Sequence, residues 1–188
     1  RPKSSAASDV YKRQVEVLVG APPDLAAIIP RCPQLRWVQS TWAGIDAIAH
    51  FASETLQITP LKGVFGPAMT EYVMGWLLAI ERDVISRASH TQWTPSLESR
   101  ITGKRLGIMG AGGIGAAIAL AAKPFGLEVI GLNSDGRAVE GFAACYPSAD
   151  RLVFAKGIDY LVSVLPQTAH TENLIDHEVL TRLNPRAI

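Results

Sequence analysis

The chain has 188 residues, 48% of them apolar and 19% charged, with a formal net charge of +1; this is the composition of a core-forming globular protein, not of a disordered or fibrous one. Its two cysteines, Cys32 and Cys145, stand far apart and outside any C-x-x-C or Cys/His spacing, which argues against a disulfide scaffold or a zinc module. No apolar run approaches the roughly 20 residues that span a bilayer, and "VMGWLLAI" sits between Glu71 and Glu81; with no signal-peptide core either, the expected location is the cytoplasm.

The first 14 residues, "RPKSSAASDVYKRQ", set Arg1, Lys3, Lys12 and Arg13 against Asp9. The positive excess therefore belongs to this segment, and the body of the chain is slightly acidic, with nothing that points to nucleic acid. The segment lacks an initiator Met and any apolar periodicity. It resembles the translated sequencing-adapter scar found at the ends of metagenomic reading frames; a disordered basic tail is the alternative, and either lies outside fold reasoning.

After it, "VEVLVGA" (15–21) reads as a buried strand and "LRWVQS" (35–40) as a second, following a Pro-bounded helical stretch. "ITPLKGVFG" (58–66) holds a short strand and a loop. A long helix is expected from Pro67 to about Arg87: Pro is favoured at the first helical position, and Glu71 lies close to the positive end of the helix dipole. Met69, Tyr72, Val73, Trp76, Leu77, Ile80 and Val84 recur at the spacing of one helical face, which should pack hard on something. The polar run 86–103 suggests a junction near residue 100, dividing the body into domains at 15–100 and 101–188.

From there the pattern is strand (106–110), Gly-rich turn, helix (113–125), strand (127–132), loop, strand (159–165) and short helices (171–184). Strands alternating with helices imply a parallel α/β sheet with right-handed crossovers. Between the first strand and its helix, Gly110, Gly112 and Gly115 form G-x-G-x-x-G, the arrangement of a dinucleotide fingerprint. Gly110 permits the tight turn, Gly112 lets backbone approach a pyrophosphate, and Gly115 lets helix and strand close up. Gly113 and Ile114 complete the helix N-terminus, whose free N–H groups and positive dipole end would face the phosphates. The alternative is a Gly/Ala-rich turn with no ligand.

The segments "ITGKRLGIMGAGGIGAAIALAAKPFGLEVIGL" and "DYLVSVLPQTAHTENLIDHEVLTRLNPRAI" resemble the cofactor domain of the D-isomer-specific 2-hydroxyacid dehydrogenases, nearest the glyoxylate and hydroxypyruvate reductase branch. "LRWVQSTWAGID" and "FGPAMTEYVMGWLLAIER" are similar to that family's substrate-domain segments. The resemblance implies an incomplete Rossmann-type domain preceded by part of a flavodoxin-like substrate domain. It also implies that backbone N–H groups at Ala43 and Gly44 hold a substrate carboxylate, as an anion nest would; an ordinary Gly turn is the alternative. The loop from Val64 to Met69 would line the interdomain cleft, with Met69 near the nicotinamide. Leu165, Pro166, Thr168 and Thr171 would run along the adenosine and ribose side, although Thr171 could equally be only an N-cap.

The family's NAD-preferring members carry Asp at the end of the second strand, where this chain has Asn133. An Asn does not repel a 2′-phosphate, and Ser134 and Arg137 follow at once, so NADP is favoured over NAD. Asp135 is the counter-evidence, since a small shift would put its carboxylate where NAD wants one. None of the four histidines, His50, His90, His170 and His177, sits in a catalytic pattern. The family's catalytic Arg, Glu and His would lie beyond Ile188, and its first strand and helix before Val15. The chain is therefore read as a fragment, inactive by itself, of an NAD(P)-dependent reductase of small 2-oxo acids. The resemblance further implies a homodimer built on the helix from Pro67. The competing readings are a dinucleotide-sensing, corepressor-like partner protein and a Rossmann protein of other chemistry, such as a methyltransferase.

Overall fold

The computed structural model describes residues 11–93, 95, 97 and 99–188. Most of the N-terminal segment read as a scar or tail, and three positions of the polar run before residue 100, lie outside the described residues. Two compact units are formed, one by the chain through Lys62 with Pro166–Ala169 and the other by Gly63–Leu165 with His170–Ile188.

The first unit holds a parallel three-stranded sheet in the order β1 (Val17–Gly20), β2 (Trp37–Ser40), β3 (Gln57–Thr59). Val17 pairs with Trp37, which pairs with Gln57. Helix α1 (Pro22–Ile28) opens on proline at its first positions, with Asp24 in its first turn, and a single turn of helix α2 (Asp46–Ala49) follows β2. Leu25, Ile29, Cys32, Leu35, Val38, Ile48 and Leu56 form the core. Because side chains alternate along a strand, Val38 is buried there while its neighbour Trp37 stands in the open.

The second unit is built on a parallel sheet in the order β6 (Ala144–Pro147), β5 (Glu128–Asn133), β4 (Arg105–Met109), β7 (Tyr160–Ser163). Strands β4 and β5 are covered on both faces, which explains why they read as nearly continuous apolar runs. On one face α3 (Gly66–Glu81) and α5 (Gly113–Ala122) close a core of Val73, Met74, Leu77, Leu106, Ile108, Ile118, Ala119 and Ala122. On the other, Met109, Ile130, Leu132, Phe154 and Ile158 pack together, Phe154 coming from α6 (Arg151–Ala155). Helix α7 (His177–Arg182) starts behind Asp176, whose carboxylate accepts the Val179 N–H.

Several expectations need correction. The long helix stops at Glu81: Asp83 takes the left-handed conformation at φ 50°, and a separate turn, α4 (Val84–Arg87), follows. Its single apolar face is in fact two. Val73, Met74 and Leu77 are buried against the sheet unit, while Tyr72 (62% exposed) and Trp76 (47%) face outward. That packing puts α3 in the second unit, so the compact units divide at Lys62 and Gly63 and not near residue 100. Strand β6 and helix α6 have no counterpart in the pattern of the sequence: β6 is a four-residue edge strand ending on Pro147, without alternation. The helical stretch expected over 171–184 is a turn followed by α7 alone.

Candidate cofactor site

In the second unit the chain runs outward from β4 through β5 to β6, then returns to the far side of β4 as β7. The carboxyl end of β4 is thus the point where the winding reverses, which is where open α/β sheets take their ligands. Met109 pairs with Leu132 of β5 and Ser163 of β7, so the segments leaving all three strands emerge at one edge. Gly110 and Leu165 lie on these segments, and Asn133 is the last residue of β5.

The glycine turn is anchored from both neighbours. The N–H groups of Gly110 and Ala111 both donate to the Leu132 carbonyl, at 2.9 and 3.0 Å, and the Val164 N–H donates to Met109 O at 2.9 Å. Gly110 has φ 105°, which an L side chain resists, and a Cβ there would come within 3.1 Å of the Val164 backbone. A Cβ on Gly115 would collide with the carbonyl oxygen of Gly110, so helix α5 rises directly off the turn. Gly112 and Gly113 differ from both: nothing lies within 4 Å of a Cβ at either position. Gly112 caps α5 without a side-chain hydrogen bond, leaving the N–H groups of Gly113, Ile114 and Gly115 without helical acceptors. Open space in front of unpaired donors at the positive end of a ten-residue helix fits a pyrophosphate.

Beside it, the loop after β5 is built by Asn133, which is only 9% exposed. Its Oδ1 accepts the N–H groups of Gly136 (2.6 Å) and Asp135 (3.3 Å), and its Nδ2 donates to the Arg137 carbonyl at 2.8 Å. Ser148 Oγ adds a bond to the Asn133 carbonyl at 3.0 Å. Gly136, at φ 76°, packs so closely on Pro147 that a Cβ would come within 2.8 Å of its ring. The Asn133 amide is therefore occupied in shaping the loop. The signal was present in the sequence, since N-S-D-G is the composition of an Asx turn. Ser134 is exposed. Arg137 Nη1 lies 3.0 and 3.1 Å from the two carboxylate oxygens of Asp135, and the Arg137 N–H, with its guanidinium, holds the Asp135 carboxyl below the ordinary carboxylate range.

Leu165 packs against the second core cluster of this unit. Thr171 opens a turn in which its carbonyl accepts the Leu174 N–H at 3.2 Å; the helix cap is Asp176, so the N-cap alternative for Thr171 falls away. Met69 stands one turn into α3, donating its N–H to Phe65 O at 3.0 Å. Pro166 and Thr168 group with the first unit and are exposed.

Ala43 and Gly44 also belong to the first unit, in the loop that leaves the carboxyl end of β2. Buried Ser40 organises that loop, its Oγ accepting the Trp42 N–H and donating to the Trp42 carbonyl, each at 2.9 Å. Among the described residues no hydrogen bond uses the N–H of Ala43 or Gly44, and both residues are exposed. No helix of the described residues is long and apolar enough to cross a membrane.

The switch-point sheet, the anchored glycine turn and the open helix N-terminus define a Rossmann-type dinucleotide-binding unit. Residues 75–188 match the family model of the D-isomer specific 2-hydroxyacid dehydrogenase, NAD binding domain. The chain belongs to the D-isomer specific 2-hydroxyacid dehydrogenase family.

The chain is 26% identical over 200 aligned residues to a glyoxylate/hydroxypyruvate reductase A of Arabidopsis thaliana, covering 100% of this chain and 62% of that protein. Its fold matches a D-isomer specific 2-hydroxyacid dehydrogenase family protein from Aeromonas salmonicida with a TM-score of 0.84 and 29% identity, over 100% of this chain and 62% of that one. It also matches an NADPH-dependent glyoxylate/hydroxypyruvate reductase from Sinorhizobium meliloti, crystallised with NADP and sulfate, with a TM-score of 0.75 and 26% identity, over 90% and 55% of the two chains. The chain spans 55–62% of the length of these relatives.

Proposed function

We propose that the chain is the dinucleotide-binding and carboxylate-anchoring portion of a cytoplasmic NAD(P)-dependent reductase that converts small 2-oxo acids of the glyoxylate or hydroxypyruvate type to D-2-hydroxy acids. The observation that carries this reading is the open, donor-lined N-terminus of α5 beside Gly112, at the sheet's switch point. When bound, the nicotinamide supplies the hydride. The residues of this chain bind and orient: Gly113, Ile114 and Gly115 through their N–H groups toward the pyrophosphate, Leu165, Pro166, Thr168 and Thr171 along the adenosine and ribose, and Met69 toward the nicotinamide. Ala43 and Gly44 would hold the substrate carboxylate with their unused N–H groups. No residue of this chain is assigned the acid/base step, which alone contributes on the order of 10²–10⁴ in rate.

NADP is favoured over NAD because the 133–137 loop carries one cation, Arg137, and a guanidinium there could bind a 2′-phosphate through charge-assisted hydrogen bonds. The expected result is that the 188-residue polypeptide binds NADPH without oxidising it in the presence of glyoxylate, and that the complete protein turns over with a higher kcat/KM for NADPH than for NADH. Arg137→Ala should erase that preference. Steady-state turnover by the polypeptide, lost on Gly112→Asp, would overturn the assignment of the acid/base step to residues outside it; an NADH preference, or a ratio indifferent to Arg137→Ala, would overturn the NADP assignment.

We also propose that the complete protein is a homodimer paired through the outer face of α3. Tyr72, Gly75, Trp76, Ala79 and Ile85 line an apolar groove there, and the Tyr72 and Trp76 rings already meet edge to face at 6.4 Å. An isologous contact, the same patch on both copies, is the commonest route to a closed dimer. Sedimentation at micromolar concentration is expected to give a dimer that Trp76→Glu dissociates; a monomeric complete protein would refute this.

A further inference from the structure

The loop that holds Arg137 carries its own competitor for that residue. Asp135 accepts the Arg137 N–H at 3.3 Å, and its two oxygens lie 3.0 and 3.1 Å from Arg137 Nη1. The backbone cannot shift easily to separate them. Asn133 pins the Arg137 carbonyl and the Gly136 N–H at 2.8 and 2.6 Å, and Gly136 is confined at φ 76° against Pro147. A phosphate reaching for Arg137 must therefore draw the guanidinium off the Asp135 carboxylate by side-chain rotation, and then bind with that carboxylate close by. A ribose without a phosphate meets neither obstacle.

We infer that Asp135 is a specificity-determining residue: as the built-in counter-ion of Arg137 it weakens binding of a 2′-phosphate and so holds the preference for NADP over NAD below what Arg137 alone would give. This rests on the assignment of Arg137 to the 2′-phosphate. Both side chains are more than half exposed, 57% for Asp135 and 61% for Arg137, so the pair is screened by solvent and salt and its effect is moderate.

The probes are adenosine 2′,5′-bisphosphate and ADP, titrated calorimetrically into the 188-residue chain and its variants. Asp135→Asn should tighten the 2′,5′-bisphosphate about threefold to tenfold at low salt, less at high salt, and leave ADP within about twofold. In an Arg137→Ala background the same substitution should gain less, because the competition for the guanidinium is gone. An unchanged affinity for the bisphosphate in Asp135→Asn, with Arg137→Ala still weakening it, overturns this inference and leaves the NADP assignment standing. A weaker affinity for ADP in Asp135→Asn also overturns it, since it makes the carboxylate a direct ribose ligand. If Arg137→Ala changes nothing, the NADP assignment fails and takes the inference with it; if neither nucleotide binds the unsubstituted chain, the dinucleotide reading itself fails.

Discussion

Gly112→Asp is expected to abolish dinucleotide binding while leaving the fold as stable as before, or slightly more so. The backbone there is extended, at φ −95° and ψ −162°, which any residue adopts, and nothing lies within 4 Å of an added Cβ. Asp is moreover a favoured N-cap residue, and its charge suits the positive end of α5, together worth up to about 1 kcal/mol. The same carboxylate would take over the donors meant for the pyrophosphate and repel it. Like charges so placed cost several kcal/mol, so affinity for NADPH should fall by at least about 100-fold. Gly115→Ala should behave in the opposite order. Its Cβ would meet the Gly110 carbonyl, and forcing helix and strand apart costs about 1–3 kcal/mol before any ligand is considered. Urea denaturation beside fluorescence titration of NADPH measures both. A Gly112→Asp protein that is folded and binds NADPH unchanged would remove the phosphate site from this turn.

Glu81→Gln is expected to be among the most destabilising single polar substitutions in the chain. Glu81 ends α3, where the helix dipole disfavours a carboxylate, and its side chain is only 9% exposed. What holds it is Lys104, at the start of β4's edge of the sheet, whose Nζ lies 2.6 Å from Oε1, 3.1 Å from Ser99 Oγ and 5.2 Å from the centre of the Tyr160 ring. Burial pushes the Glu81 carboxyl up, but the bond from Lys104, its charge, and the neighbouring Ser99 and Tyr160 hydroxyls bring it below the ordinary carboxylate range. Burial beside that carboxylate raises the Tyr160 hydroxyl well above its usual range. Removing the Glu81 charge leaves Lys104 uncompensated and should cost about 2–4 kcal/mol near neutral pH.

The pH dependence follows from the direction of the shift. A carboxylate whose folded pKa is depressed stabilises the protein fully above the unfolded value, near 4.3, and loses that contribution as pH falls through the folded value. The gap between the natural protein and Glu81→Gln should therefore be wide at about pH 7 and narrow steadily below about pH 4.3. Denaturation midpoints across that range measure it. A gap that stayed constant into acid would mean that the Glu81 charge is not what stabilises α3 on the sheet.

The sequence alone determined the parallel α/β class, the place of most strands along the chain, and the fingerprint at Gly110, Gly112 and Gly115. Each of these rests on local chemistry: a buried strand must be an apolar run, a tight turn into a helix needs glycine, and both can be read within about ten residues. Other features depend on partners distant in the chain, and only the tertiary structure decided them. Whether α3 shows one apolar face or two depends on what covers it, and Tyr72 and Trp76 share the helical spacing of Val73 and Leu77 yet stand outside the core. Strand β6 exists because β5 offers it a ladder from Ile130 to Asn133, not because "ACYP" favours a strand. Asn133, which the resemblance places where NAD-preferring relatives carry Asp, spends its amide on its own loop. A side chain's hydrogen-bonding capacity is finite, and the sequence names the donors and acceptors without saying which of them the fold has already used.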